Sequence, residues 1–162
     1  METAVLYLLL HTGLRAHELC RLDLAHYHHR GLHEVKRKGS RVSRKVNVPT
    51  EARDVLDRYI AEKRRDAPGP LVLSRYGKRL TPLDIARICE RLASQANAHV
   101  SSVDAIHLTP HMLRHTFLKR VADKHGVHVA QEMSGNVSIR EVFRYTKPSE
   151  TETAKAADEL FR

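Results

Sequence analysis

The stretch that most constrains the fold lies late in the chain, where Thr109 and Pro110 precede a mixed polar and apolar run. Threonine caps helices through its side-chain oxygen, and proline suits the first helical position because its missing N–H needs no partner there. Leu113, Phe117 and Val121 then recur at helical spacing, which indicates a face packed into a core. The sequence therefore predicts a helix that begins at Pro110.

The same helix carries a polar cluster in its first two turns. His111, Arg114 and His115 lie at i, i+3 and i+4 and are predicted to project together. The N-terminus of a helix favours an anion because its N–H groups are free and its dipole end is positive. An arginine fork and an imidazole at that end favour phosphate as the anion. Each histidine taken singly is more often an ordinary partly buried side chain, so the prediction depends on the combination.

A second short helix is predicted beyond Gly135. Ser138 and Glu141 have the spacing of a capping box. Tyr145 falls outside the apolar stripe of that helix, near its end, so its phenol is predicted to be exposed. The plainer alternative is an ordinary surface or packing tyrosine.

These residues resemble the tyrosine recombinases, the integrase and Xer-type site-specific DNA recombinases. His111 and Arg114 match the family's His-x-x-Arg element. Tyr145 follows Asn136 by nine residues, as the nucleophilic tyrosine follows the histidine of the family's Leu-Gly-His element. The family's earlier motif, Thr-Gly-Leu-Arg-x-x-Glu-Leu, is matched in full at positions 12–19. The resemblance covers essentially the whole chain as a catalytic domain.

The resemblance implies an α+β fold, namely a mainly helical catalytic domain with a small three-stranded antiparallel sheet. With 162 residues and 41% hydrophobic content, we expect a single catalytic domain over residues 1–162, without the DNA-clamping domain that usually precedes it in the family. Residues 149–162 predict a weakly amphipathic helix. The family exchanges this helix between protomers, while a helix docked within the chain or a frayed tail fits the residues equally well.

The resemblance also implies the catalytic roles. Tyr145 would attack the phosphodiester and form a 3′-phosphotyrosyl link, while Arg15 and Arg114 would clamp the non-bridging oxygens. His111 would assist removal of the phenol proton or hydrogen-bond the phosphate, and Lys38 would act as general acid toward the 5′-oxygen. Such chemistry conserves the energy of the ester, so no metal, ATP or other cofactor is expected.

Three further positions complete the predicted site. Glu18, one turn after Arg15, can hold the guanidinium in place, although an exposed ion pair of little worth is the plainer alternative. His115 would support the same site. Asn136 stands where the family has His or Trp, and an amide donates a hydrogen bond but cannot shuttle a proton. We therefore expect activity that is reduced or dependent on context.

Between residues 24 and 49 the helical period is lost and polar and apolar residues alternate, which predicts strands around a turn at residues 38–40. Lys38 matches the family's catalytic lysine best, but Arg37 replaces a glycine of the family pattern, so Lys36, Arg41 and Lys45 stay open as alternatives. A basic hairpin that only contacts phosphates, without a catalytic lysine, also stays open. The predicted DNA-binding residues of this basic hairpin are Lys36, Arg37, Arg41, Arg44 and Lys45.

The net charge of +9 and pI near 9.9 favour a polyanionic partner whose binding weakens with salt. Charge alone does not separate DNA from RNA or an acidic membrane surface; the resemblance implies double-stranded DNA. No ordered zinc spacing is present, and His26, His28 and His29 are interpreted as a solvated strand or loop with a minor DNA-backbone role.

Cys20 and Cys89 are predicted to be buried free thiols, which fits a reducing cytoplasm. No apolar run approaches the length of a membrane span. A cytoplasmic protein is therefore expected, and the resemblance implies that it is nucleoid-associated and self-associates on DNA as a dimer or tetramer through its C-terminal helix.

Residues typical of helix starts and helix ends predict the remaining elements of the scaffold. In the first part of the chain, a helix is predicted from Glu2 to His11, stopped by Gly13, and the helix resumes from Leu14 to Leu22. A helix from Glu51 to Arg65, capped by Thr50, and a short strand from Leu71 to Leu73 follow. The last predicted elements of this scaffold are a helix from Pro82 to Asn97 and a short helix between Gly126 and Gly135.

The function expected is that of a site-specific DNA recombinase or integrase that cleaves and rejoins strands. One alternative is a type IB topoisomerase, which shares the chemistry but relaxes supercoils without a specific site. The other is a catalytically weak DNA-binding protein derived from a recombinase, as Asn136 and the irregular hairpin suggest.

Overall fold

Helices make up most of the chain that the computed structural model describes, namely residues 1–36, 44–135 and 150–159. The chain divides into two units, Met1–Phe117 and Leu118–Arg162. In chain order the elements are α1 (Glu2–Thr12), α2 (Ala16–Cys20), a 3₁₀ turn (Leu24–His26), β1 (Tyr27–His28), β2 (Gly31–Val35), β3 (Arg44–Asn47), α3 (Thr50–Tyr59), a π-helical turn (Ile60–Arg64), α4 (Pro82–Asn97), α5 (Pro110–His125), α6 (Val127–Ser134) and α7 (Glu150–Glu159).

The three strands form one antiparallel sheet in the order β1-β2-β3. Tyr27 and Val46 both pair with Leu32, one from each side. The register shifts between Leu32 and Val35, so β2 is irregular toward its carboxyl end. The predicted fold class, mainly helical with a small three-stranded antiparallel sheet, is confirmed. The predicted turn at residues 38–40 lies outside the described residues.

The core of the first unit gathers apolar side chains from the sheet and the helices around it. Helix α1 is apolar around most of its circumference and contacts both α3 and α4, while α2 contacts α4. Burial of these side chains is the main term that stabilises the unit. The largest fully buried apolar side chains of this core are Leu8, Leu9, Leu14, Leu32, Leu56, Leu71 and Ile85.

Three predictions about the scaffold are wrong. The helix predicted to run through Arg65 leaves α-helical geometry after Tyr59. Thr50 does not cap this helix; the Thr50 hydroxyl instead accepts from the Arg53 guanidinium at 3.0 Å. The segment predicted as a strand at Leu71 to Leu73 does not form a continuous strand: Leu73 makes an isolated bridge with Arg79, and the Leu71 N–H donates to the Leu22 carbonyl at 2.9 Å. The helix resumed after Gly13 is also shorter than predicted, because α2 spans five residues.

The second unit contains α6, which is flanked by Gly126 and Gly135 as predicted. Gly135 takes the left-handed conformation, with φ 63°, and its N–H donates to the Glu132 carbonyl at 3.1 Å. Such a residue ends a helix and is usually glycine, which has no Cβ to clash. Helix α7 falls within the predicted helix at residues 149–162. Its exchange between protomers stays a prediction.

Candidate functional site

The predicted site begins where α1 ends, at Gly13. Its φ is 63°, and its N–H donates to the Leu9 carbonyl at 3.1 Å, which satisfies one of the last carbonyls of the helix. The buried Thr12 hydroxyl donates to the Leu8 carbonyl one turn back. The chain therefore reverses sharply here and delivers Arg15 at the start of α2.

Arg15 caps α2 and is held by Glu18. The Arg15 backbone N–H donates to Glu18 Oε2 at 2.9 Å, and its Nη1 donates to Glu18 Oε1 at 3.2 Å. The Glu18 side chain is 0% exposed and that of Arg15 is 26% exposed. The plainer alternative, an exposed ion pair, is therefore wrong. The buried carboxylate fixes both the backbone and the guanidinium of the residue that carries the predicted phosphate clamp.

Helix α5 begins as the sequence predicts. The Thr109 hydroxyl accepts from the Met112 N–H at 3.2 Å, and Pro110 occupies the first helical position. Leu113 and Phe117 are buried, whereas Val121 is only partly buried. The predicted cap and the inner part of the apolar face are thus confirmed, and the first two turns of α5 are fixed against the first unit.

Arg114 connects the two motifs. Its side chain is buried, with 4% of the residue exposed, and its Nη1 donates to the Gly13 carbonyl. One turn further along α5, the Phe117 ring lies so close to Gly13 that a Cβ there would meet ring atom Cδ1 at 2.3 Å. Residues 101 positions apart therefore form one junction, in which Arg114 lies beside the turn that carries Arg15.

The remaining predicted residues fall into two groups. His111 is exposed and His115 is half-buried on α5, while Lys36 and Lys45 are exposed at β2 and β3, and Arg44 begins β3. The others lie outside the described residues, so their predicted roles stay predictions: Arg37, Lys38, Arg41, Asn136 and Tyr145.

A cavity of about 380 Å³ lies behind Glu18. It opens between α2, the 3₁₀ turn and β2, and it brings the buried carboxylate and Lys36, at the end of β2, to the same wall. Charged side chains of both signs line the cavity together with apolar surface. Its lining residues are Glu18, Arg21, Leu22, Asp23, His26, Glu34 and Lys36.

Arg79 holds the opposite end of α2, a contact that the sequence pattern did not predict. Its Nη1 donates to the Cys20 carbonyl at 2.9 Å and to the Leu22 carbonyl at 3.3 Å, and its Nη2 pairs with Asp23. These carbonyls form the negative end of the short helix. No local pattern points to this contact, because it joins residues almost 60 positions apart.

The cysteines are free thiols, as predicted, with Cys89 buried and Cys20 half-buried. Burial raises the pKa of Cys20 to about 11, with Asp84 adding to the effect, and burial likewise raises the pKa of Cys89. Neither thiol is therefore a reactive thiolate at neutral pH. Within residues 1–36, 44–135 and 150–159 no group of three or more potential ligands is arranged to hold a metal ion. No helix among these residues has the length and apolarity to cross a membrane.

Comparison with known proteins gives consistent matches. The model of the family described as "Phage integrase family" matches residues 1–152. Tyrosine recombinase XerC of Corynebacterium efficiens is 34% identical over 152 residues, which cover 91% of this chain and 46% of that protein. The XerC of Pseudomonas aeruginosa PAO1 is 34% identical over 149 residues, which cover 90% and 46%. The chain thus spans about half the length of these relatives.

Solved structures match over nearly the whole chain. The crystal structure of XerA recombinase superposes with a TM-score of 0.80 at 22% identity, covering 98% of this chain and 57% of that one. The Tn1549 transposon integrase in complex with a circular intermediate DNA gives 0.78 at 23% identity, covering 98% and 58%. At this identity the likeness establishes the fold.

Proposed function

The chain belongs to the phage integrase family of tyrosine recombinases, and from that premise we propose that it cleaves and rejoins double-stranded DNA through a 3′-phosphotyrosyl intermediate. The observation that carries the proposal is the junction between Arg114 and Gly13. It brings the helix with the His-x-x-Arg element to the turn that carries Arg15, so both predicted phosphate clamps belong to one region of the first unit.

The proposed reaction exchanges one phosphate ester for another. The Tyr145 phenolic oxygen forms a bond to phosphorus while the bond from phosphorus to the 5′-oxygen breaks. The phenol gives up its proton with the help of His111, and Lys38 supplies a proton to the 5′-oxygen. Arg15 and Arg114 neutralise the charge that develops on the non-bridging oxygens, a form of stabilisation that typically contributes several kcal/mol per donor.

The burial of Glu18 and the position of His115 fit supporting roles. A guanidinium anchored at 3.2 Å by a fully buried carboxylate loses little freedom when it meets a phosphate. Asn136 contributes a hydrogen bond to the phosphate and no proton transfer, since an amide does not titrate. Ligation reverses the first step, so neither ATP nor a metal ion takes part in the proposed scheme.

DNA is the proposed partner because the chain carries a net charge of +9 and exposes Lys36 and Lys45 near the predicted basic hairpin. We expect affinity for duplex DNA to fall steeply with salt, by about one unit of log–log slope for each phosphate contact. Assembly on DNA through helix α7, in the cytoplasm at the nucleoid, completes the proposal. A log–log salt slope near zero would contradict the proposed binding of DNA.

The test of the reaction is trapping on a nicked suicide substrate, which loses its leaving fragment and accumulates the covalent adduct. Tyr145→Phe should abolish the adduct while leaving DNA affinity nearly unchanged. Arg15→Ala and Arg114→Ala should each slow single-turnover cleavage by about a hundredfold or more. An adduct that persists in Tyr145→Phe would place the nucleophile elsewhere.

Two other tyrosines serve as matched controls. The Tyr27 phenol donates to Asp57 at 2.7 Å, and burial, followed by that hydrogen bond, raises its pKa. Tyr76 is 70% exposed and lies against the Arg75 guanidinium. Tyr27→Phe and Tyr76→Phe should therefore leave adduct formation intact. Relaxation of supercoiled plasmid without a specific site would favour a type IB topoisomerase, and binding without any adduct would favour a non-enzymatic derivative.

A further inference from the structure

The turn between β1 and β2 has the backbone conformation that usually favours glycine or asparagine, yet it carries two large polar side chains. His29 and Arg30 join the two strands, and both have positive φ, 47° and 62°. Two-residue hairpins require this geometry and normally use Asn-Gly, since a Cβ makes it costly. Strain of this kind at residues with large polar side chains is often associated with a functional surface.

The strained turn assembles three imidazoles. The rings of His28 and His33 are stacked, with centroids 3.8 Å apart and planes at 13°. His29 lies edge-on at 5.1 Å from His28 and 6.5 Å from His33. His33 Nε2 is 3.1 Å from the His28 carbonyl oxygen. His28 and His29 are exposed and His33 is half-buried, so the group lies open to a large ligand.

Two fixed cations lie near these rings. Arg30 is exposed in the turn itself, and Lys45 from β3 is also exposed, with its side chain lying over Gly31. The nearby acid on β2 is Glu34, whose Oε2 lies 3.7 Å from His26 Nε2 of the 3₁₀ turn. We call His28, His29, Arg30 and His33 the histidine tip; Lys45, already predicted to bind DNA, lies next to it. The fixed charge of the tip is positive, and each imidazole that takes up a proton adds to it.

The stacked rings argue against a metal site. Two parallel imidazoles 3.8 Å apart cannot both direct a ring nitrogen at one ion, and none of the described residues form a group suited to a metal. Stacked imidazoles near fixed cations instead fit a polyanion that brings several negative charges close together. Phosphodiesters along a nucleic-acid backbone do so and accept hydrogen bonds from imidazolium and guanidinium groups.

We propose that the histidine tip is a second nucleic-acid backbone surface, separate from the predicted catalytic site, whose affinity rises as the pH falls. It lies at the amino end of β2, while the predicted catalytic hairpin leaves from the carboxyl end; at about 3.4 Å per residue the two ends are roughly 14 Å apart. The proposal rests on the proposed DNA partner and adds a contact outside the reaction.

The pH dependence follows from the neighbours of each ring. Removal from water, and then the nearby His33 and His29, lower the pKa of His28, with Lys45 acting in the same direction and Glu34 opposing. His28 therefore resists protonation in the free protein. Phosphates raise the pKa of every imidazole they contact, so binding takes up protons and strengthens as the pH falls toward about 5.5.

The experiment measures binding of a duplex of about 30 base pairs and arbitrary sequence at about pH 8 and pH 5.5, across a series of salt concentrations. The wild-type log–log salt slope should grow by about two to three units at the lower pH, with each of the three newly charged imidazoles contributing up to about 0.9. The variant His28→Gln, His29→Gln, His33→Gln should lose most of that increase and keep the wild-type affinity at pH 8.

A matched control removes the same number of titrating groups elsewhere. His99, His107 and His128 are all exposed, and replacing these three with Gln should preserve the increase. An equal loss in both triple variants would overturn the proposal, because the effect would then reflect net charge alone. So would a wild-type slope that does not change with pH. If the wild type binds no duplex at either pH, the proposed DNA partner itself fails.

A second variant tests whether the turn orders the rings. His29→Asn with Arg30→Gly supplies the residues that the turn geometry favours, so Tm should rise by about 2–4 °C or more. Because one imidazole is lost, the pH-dependent increase in slope should fall to a value between those of the wild type and the triple variant, while the lost guanidinium should lower the slope equally at both pH values. A full wild-type increase would count against the histidine tip.

Discussion

The two predicted phosphate-clamping arginines are held in opposite ways. Arg15 is oriented by Glu18, three residues away, through two hydrogen bonds made at the start of one short helix. Arg114 is oriented by the Gly13 carbonyl, 101 residues away, and is almost fully buried. The first arrangement can form within a single turn of chain, whereas the second exists only after α5 has docked.

This difference separates local order from tertiary order within one site. The Arg15 end depends on a carboxylate and two donors, so charge and hydrogen bonding should dominate its energetics. The Arg114 end depends on close approach of α5 to a left-handed glycine, with the Phe117 ring against it. Shape should dominate there, and substitutions that change volume should be the most damaging.

The largest expected effect is that of Gly13→Ala. The new Cβ would lie 2.3 Å from Phe117 Cδ1, and φ is +63°, so both overlap and backbone strain oppose it. Gly77→Ala is the matched control, because its φ is +72° and a Cβ added there would have nothing within 4 Å. We expect Gly77→Ala to cost about 1–2 kcal/mol and Gly13→Ala about 1–3 kcal/mol more.

Chemical denaturation of both variants measures the difference in unfolding free energy. Equal losses of unfolding free energy in the two variants would mean that α5 does not approach Gly13 closely. The claim that shape dominates the Arg114 end would then be wrong. Phe117→Leu should be less damaging in the Gly13→Ala background than in the wild type, since a smaller side chain relieves the overlap. That coupling is read from a double-mutant cycle.

The contrast also explains how much could be predicted. The cap at Thr109, the stop at Gly13 and the pairing of Arg15 with Glu18 were predictable because each involves residues at most four positions apart. The contact of Arg114 with Gly13 was not, because helical periodicity reveals which face is buried and not what it meets. The family motifs brought these segments together only by resemblance.

One misjudged segment has an identifiable physical cause. The turn from Ile60 to Arg64 has good helix-forming residues, yet Arg64 is buried and donates to the Pro70 and Arg65 carbonyls. These side-chain hydrogen bonds override the local preference for an α-helix. No spacing pattern in the sequence indicates that departure.

A smaller effect on stability is expected from Glu18→Gln, which tests the local hydrogen bonds that hold Arg15. The carboxylate accepts from two donors of Arg15, and a glutamine offers one acceptor and one donor group, so an N–H would face an N–H or guanidinium. We expect a loss of about 1–3 kcal/mol in unfolding free energy. The exposed pair of Lys119 and Asp123, at 3.3 Å, supplies the control.

Asp123→Asn should change stability by less than about 0.5 kcal/mol, because solvent-exposed i,i+4 pairs contribute little. The same denaturation series measures both substitutions. If Glu18→Gln proved as mild as Asp123→Asn, the buried carboxylate would not be what holds Arg15. The claim that charge and hydrogen bonding dominate the Arg15 end would then be wrong.

The smallest expected effect concerns Arg79, which holds the carboxyl end of α2. The contact that Arg79 makes is long-range, like that of Arg114, but polar, like that of Arg15. Arg79→Gln removes donors to the Cys20 and Leu22 carbonyls. Because the Arg79 side chain is 43% exposed, water can replace them, and the loss should be about 1 kcal/mol. Arg91→Gln is the control, since Arg91 pairs with Glu2 at the start of α1.

If the carboxyl end of α2 must be fixed for Arg15 to meet the phosphate, Arg79→Gln should slow single-turnover cleavage several-fold at saturating DNA while the dissociation constant for DNA stays unchanged. Arg91→Gln should alter neither quantity. Arg79→Lys should recover part of the rate, because an ammonium can still donate to one carbonyl. A cleavage rate unaffected by Arg79→Gln would show that the capping contact with Glu18 suffices alone, and that the amino end of α2 needs no support from the far end.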